Sequence, residues 1–217
     1  MTKEDIIKFI SSASGAYSPY QIFYDWVECL ALATANACSI HRGKVWEERE
    51  EKYKTVMNKH NDVVKNKMTQ MSAALIEVYG NGFDDVLGDI YMKSGCGNSH
   101  LGQFFTPYHI SLLMARLAVF EPDPDGYYRF NEPTTGGGAN IIAMAEVLKE
   151  RGINYQKSMK VVAQDLDWLG VYMTYIACSY YGIDAMVVQG DTLLDPYHKG
   201  YDERRVLRTP RNTGALF

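Results

Sequence analysis

The chain has 217 residues, 47% of them hydrophobic and 22% charged, which suits a globular protein able to bury a sizeable core in one good-sized domain or two small ones. A net charge of −4 and a pI near 5.7 exclude the overall positive field that drives nonspecific nucleic-acid binding, so any DNA contact is local or borrowed from a partner. No window approaches the roughly 18 uninterrupted apolar residues of a membrane span, and the start "MTKEDIIKF" lacks the pattern of a signal peptide; a cytoplasmic protein without a membrane segment is expected.

Helices dominate the first hundred residues. Thr2 and Asp5 form a capping-box-like start ahead of Ile6, Ile7 and Ile10. Ser18 and Pro19 then open a long apolar helix, where the missing N–H of proline at the first helical position costs nothing. "GKVWEEREEKYKTVMNKH" and "NDVVKNKMTQMSAALIEVYGNG" are rich in strong helix formers, and Gly80 and Gly82 are expected to end the second in a left-handed exit. The charged run from Glu47 to Lys54 reads as a solvated helix face. "GFDDVLGDIYMKSG" adds a short amphipathic helix before the small-residue loop "CGNSHLG". Cys29, Cys38, Cys96 and Cys178 contain no C-x-x-C pair and are expected to be buried free thiols.

Near residue 105 the texture changes. "ISLLMARLAVF" reads as a helix ended by the turn-forming "EPDPDG", after which strands at 127–132, 158–165 and 185–190 alternate with helices at 138–151 and 167–181. That alternation predicts βαβ crossovers and a parallel sheet. The expected organisation is a helical region at 1–105 followed by an α/β unit at 106–217.

Chemistry concentrates at the carboxyl ends of the three strands. The first feeds "TTGGGAN", where backbone N–H groups and a helix N-terminus can face a ligand, although a glycine run also serves a tight turn. The second ends at Asp165, placed to accept the hydroxyls of a ribose held by the glycine turn, with a helix N-cap as the alternative for Asp165 or Asp167. The third ends in "QGDTLLDP", which puts Asp191 at the same edge, where it could accept from the exocyclic amine of an adenine. The five histidines have no metal-ligand spacing, His109 reads as a helix-start residue, and neither a G-x-S-x-G elbow nor a G-K-[ST] loop occurs.

With these residues in view, the chain resembles the adenine-N6 DNA methyltransferase family, particularly the modification subunits of type I restriction systems. "GQFFTP" is similar to the family's signature upstream of the nucleotide fold, and "EPTTGGGAN" resembles its D-P-x-x-G-x-G segment with Glu132 in place of the usual Asp. The likeness spans roughly residues 80 to 195. It implies a partial class I, Rossmann-like methyltransferase fold and bound S-adenosylmethionine. By the same likeness, Phe104, Phe105, Thr106 and Pro107 line the pocket, Glu132, Thr134, Gly136 and Gly138 form the turn at the methionine end, Asp165 meets the ribose and Asp191 the adenine.

One departure is plain. The family's N-P-P-Y or N-P-P-F, which holds and stacks on a flipped adenine, has no counterpart here, and "DPYH" follows the third strand too soon to stand at the tip of a fourth. In the family's strand order the first strand is central, so without the fourth it becomes an edge, to be covered by the N-terminal helices, the C-terminal tail, a second copy or another protein. The tail carries Arg204, Arg205, Arg208 and Arg211, read either as a solvated, partly disordered terminus or as a phosphate-contacting arm. Two functions follow: a DNA adenine-N6 methyltransferase whose target-base groups come from elsewhere, or a cofactor-binding or interaction module derived from that family. A homo-oligomer or a complementing chain is expected in either case.

Overall fold

The computed structural model describes residues 1–13, 17–97, 105–118 and 121–214. Six helices precede the sheet: α1 (Lys3–Ser11), α2 (Pro19–Ala37), α3 (Lys44–Met57), α4 (Asp62–Gly80), α5 (Val86–Lys93) and α6 (Tyr108–Leu117). The α/β part follows as β1 (Tyr128–Glu132), α7 (Ala139–Glu150), a single turn α8 (Tyr155–Ser158), β2 (Met159–Asp165), α9 (Trp168–Tyr180) and β3 (Asp184–Gln189). A 3-10 turn at Glu203–Arg205 leads into β4 (Val206–Arg208) and α10 (Pro210–Thr213).

Local chemistry accounts for several boundaries. Thr2 and Asp5 form a reciprocal capping box on α1, and the Ser18 hydroxyl accepts from the Gln21 N–H at 3.1 Å with Pro19 at the first position of α2. The exit of α4 differs from expectation. Gly80 stays helical and Asn81 takes the C-cap in right-handed geometry, so Gly82 alone has positive φ, at 137°.

The sheet order is β1-β2-β3-β4. β1, β2 and β3 are parallel, with Phe130 beside Val161 and Val161 beside Ala185, and β4 runs antiparallel to β3 with Leu207 beside Val187. Among the described residues β1 has a strand neighbour on one side only, as the half sheet requires. The described part of the tail does not pair with it. Residues 203–213 instead extend the opposite edge, which corrects the reading of the arginine-bearing tail as a solvated, partly disordered terminus.

The main apolar core runs across residue 105, joining α1, α2, α4 and α5 to α7, β2, β3 and α9, and a small second cluster of Val188, Tyr201 and Val206 lies between β3 and the tail. The central element is α9, buried from Leu169 through Cys178, because one side packs on the sheet and another on α2. A polar link crosses the same junction: the Tyr172 hydroxyl donates to buried Glu28 at 3.0 Å, and Lys52 reaches both. All four cysteines are buried and free. No helix among the described residues is long and apolar enough to cross a membrane.

Candidate functional site

β1 delivers the chain to the glycine turn between Glu132 and α7. Gly136 (φ 52°) and Gly138 (φ 88°) adopt the left-handed region that favours glycine. Close packing adds a second reason at Gly136 and Gly138 and supplies the one at Gly137. A methyl group on Gly136 would lie 3.0 Å from the Phe105 ring, one on Gly137 3.1 Å from an Asp85 carboxylate oxygen, and one on Gly138 3.1 Å from the Thr174 hydroxyl. The Thr174 hydroxyl donates to the Gly136 carbonyl at 3.0 Å, which leaves Thr135 as donor in its 2.9 Å contact with Thr174. Glu132 is nine-tenths buried and accepts from Asn140 Nδ2 at 3.0 Å. Thr134 is exposed at the start of the turn. Gly138 is the N-cap of α7 and makes no side-chain cap to the first N–H groups of that helix, and the first turn carries no acid.

The ends of β1, β2 and β3 are tied together here. Asp165, at the tip of β2, accepts from the Gly136 N–H at 2.7 Å and the Asp167 N–H at 3.0 Å. Its backbone carbonyl accepts from Gly190 N–H at 2.8 Å, and the Thr192 hydroxyl donates to the Pro133 carbonyl at 2.6 Å. Asp167, not Asp165, caps α9. Burial pushes the Asp165 carboxyl up, against the opposing pull of its backbone donors. Asp191 accepts from its own loop, at 2.9 Å from Leu193 N–H and 3.1 Å from Leu194 N–H.

Phe105 packs over Gly136 and edge-on against Tyr91, with ring centroids 5.1 Å apart. Thr106 and Pro107 are exposed, and Pro107 is the N-cap of α6. Phe104 lies outside the described residues. Phe105, Thr106 and Pro107 share a cavity of about 400 Å³ with Asp84, Asp85 and Asp89. Asp85 is buried, caps α5 through the Gly88 N–H at 3.0 Å, and is pushed up to about 6 by that burial. Phe105, Gly136 and Asp165 thus form one contact series, and Asp191 joins it through Gly190.

The tail arginines sit elsewhere. Arg204 pairs with Asp202 at 2.6 Å and Arg208 with Glu203 at 2.7 Å. Arg205 donates to Gln189 Oε1 and Arg211 to the Gln156 carbonyl, each at 2.9 Å. A phosphate at this surface would compete with acceptors already in place.

Two features of the site escaped the sequence reading. Asp85 falls in a stretch read only as a short amphipathic helix, and the fold buries it against the glycine turn. Leu166, Leu193 and Leu194, at 67%, 93% and 85% exposure, put apolar surface beside Asp165 and Asp191. The available signal was the order of residues alone, with Leu166 directly after Asp165 and Leu193 and Leu194 close behind Asp191.

This donor set fits an adenosine-type cofactor. A carboxylate offers about four acceptor sites, and among the described residues Asp165 accepts from the N–H groups of Gly136 and Asp167, with that of Leu166 also turned towards it, which leaves capacity for a ribose hydroxyl. Exposed leucines offer a face for a base, and the uncapped start of α7 offers N–H groups for an anionic end. No curated protein matches the chain. Residues 82–209, more than half of its length, match the family model described as N-6 DNA Methylase, and the chain therefore belongs to the N-6 DNA methylase family.

Proposed function

We propose that the chain is the cofactor-holding part of a DNA adenine-N6 methyltransferase of the type I modification kind, with S-adenosylmethionine bound at the carboxyl edge of β1, β2 and β3. The observation that carries this reading is the Gly136 to Asp165 contact beneath Phe105, since it sets a carboxylate, a glycine turn and a helix N-terminus within one patch. When bound, S-adenosylmethionine supplies an electrophilic methyl group. The residues of this chain bind and orient. Asp165 accepts from the ribose hydroxyls, Leu166 and Leu193 shield the base, Asp191 accepts from its amine, and Thr106, Thr134 and the start of α7 hold the amino-acid end. Phe105 keeps the turn in shape by filling the space above Gly136. Methyl transfer needs little general-base help, because in-line positioning of the amine accounts for much of the acceleration.

The groups that would grip a flipped adenine are absent from this sequence, which contains no Asn-Pro-Pro-aromatic run. We place them, and the principal DNA contact, on a complementing chain or segment that lies against β1. Calorimetric titration tests the cofactor part: S-adenosylmethionine should bind the wild type and bind Asp165→Asn at least tenfold more weakly. Equal binding by both proteins refutes the assigned pocket. Tritiated-methyl incorporation into DNA by the purified chain should stay at background. Robust incorporation would place the target-base groups within this chain.

A further inference from the structure

Asp84, Asp85 and Asp89 line the cavity beside the glycine turn, and two of them are neutralised. Lys3 lies 3.4 Å from Asp84 and 2.9 Å from Asp89, and Lys93 lies 2.8 Å from Asp89. Asp85 has no cation within ion-pair distance among the described residues, although at 6% exposure it is the most buried of the three. Among the described residues its one hydrogen bond, from the Gly88 N–H, satisfies a single oxygen. Both oxygens face Gly137, 3.1 and 3.2 Å from where a methyl group on that residue would stand. An ionised carboxylate held out of water without a counter-charge is costly, and a cation arriving through the cavity would offset that cost.

We propose that Asp85 is the acceptor for the α-ammonium group of the amino-acid part of S-adenosylmethionine, making the cavity between α5 and the 105–109 segment the amino-acid end of the site. This rests on the reading of the glycine turn as a cofactor site and adds to it a residue outside the strand ends. The arrangement is complementary along its length. Asp165 marks the ribose on one side of Gly136 and Asp85 marks the ammonium on the far side of Gly137, so the turn lies between two carboxylates that recognise different ends of one molecule. The Thr106 hydroxyl and the Phe105 ring complete the wall.

The test uses Asp85→Asn, which keeps an N-cap acceptor for Gly88 and so preserves the start of α5. Calorimetry compares three ligands on the full chain: S-adenosylmethionine, S-adenosylhomocysteine, which keeps the ammonium without the sulfonium charge, and 5′-methylthioadenosine, which lacks the amino-acid part. A charge-assisted hydrogen bond predicts about 10- to 100-fold weaker binding of the first two by the variant, with the third unchanged within about twofold. Equal losses for all three ligands would mean that Asp85 only shapes the fold, and a loss confined to S-adenosylmethionine would mean that it faces the sulfonium. Either result overturns the assignment, as does unchanged binding throughout. No binding of S-adenosylmethionine by the wild type would overturn the reading of the turn itself, and this inference with it. Thermal unfolding of the variant, expected to remain a single cooperative transition, separates lost binding from lost fold.

Discussion

Gly136 carries two constraints at once, a φ of 52° and a ring 3.0 Å from the site of any added methyl group. Gly136→Ala should therefore lose about 2 to 4 kcal/mol, combining the left-handed backbone penalty with overpacking against Phe105. Urea unfolding measures the loss, and adding Phe105→Ala to Gly136→Ala should recover the packing share alone. Additive effects in that cycle would mean that the ring does not press on the turn. Asp85 makes a prediction of opposite character. Burial raises its folded value to about 6 from 3.8, with Asp84 and Asp89 adding to the shift and the Gly88 N–H opposing it. Between about pH 4 and pH 6 the folded protein thus holds a proton that the unfolded chain has released, and stability falls as pH rises through that window. At about 1.4 kcal/mol per unit the fall is on the order of 3 kcal/mol, and Asp85→Asn should not show it. Parallel urea profiles for the two proteins at pH 4.5 and pH 7.5 would refute the buried charge. The glycine run was legible in the sequence as a turn needing freedom, but its neighbours were not: Phe105, Asp85 and Thr174 come from three separate elements, and no local pattern brings them together.

Elements with strong local signals were readable, because caps and periodicity act within a few residues. The Ser18-Pro19 start of α2 and the β3 run between Gly182 and Gly190 are of this kind, whereas the choice between Asp165 and Asp167 as the cap of α9 stayed open in the sequence and was settled by the fold. β4 was not readable. It has three residues, two arginines stand directly before it and it ends on a third, and its strand character comes from pairing with β3. Its anchor is Thr209, wholly buried, whose hydroxyl donates to the Ile183 carbonyl at 2.7 Å and accepts from the Ala185 N–H at 3.0 Å. Val is nearly the same shape without the hydroxyl, so Thr209→Val should leave that N–H unsatisfied and cost about 1 to 3 kcal/mol. Hydrogen exchange should then accelerate across residues 203–213 before the rest of the sheet responds. Unchanged protection there would refute the docked tail. Arg49 adds a second restraint, donating to the Val206 carbonyl at 2.9 Å and occupying an acceptor that an edge strand would otherwise present to another chain.

At the scale of the whole molecule the two edges of the sheet are treated differently. Beyond β4 lies the Arg49 side chain, whereas β1 has no second strand among the described residues. α6 packs on α7, which directly follows β1, and it exposes Ile110, Leu113, Met114 and Leu117 at 40%, 53%, 48% and 72%. The spacing i, i+3, i+4, i+7 places these four on one face, while Ser111 and Ala115 are buried. An apolar stripe left outside a core that otherwise closes over α2, α9 and the sheet is the kind of surface that marks an interface. A strand edge presents unpaired N–H and C=O groups, and two copies of one edge can pair antiparallel about a twofold axis, which makes the surface self-complementary. With no other protein present, a second copy of this chain is therefore the expected occupant. Light scattering coupled to size exclusion at tens of micromolar should give a mass above the 24.6 kDa of one chain. Leu113→Glu with Leu117→Glu should return it to that mass without loss of helix content, because both side chains already face water in the single chain. A wild-type protein that elutes as a monomer under these conditions would refute association through this face. A complementing chain that carries the adenine-gripping residues would then have to bind the same stripe, and the double glutamate variant should block it as well.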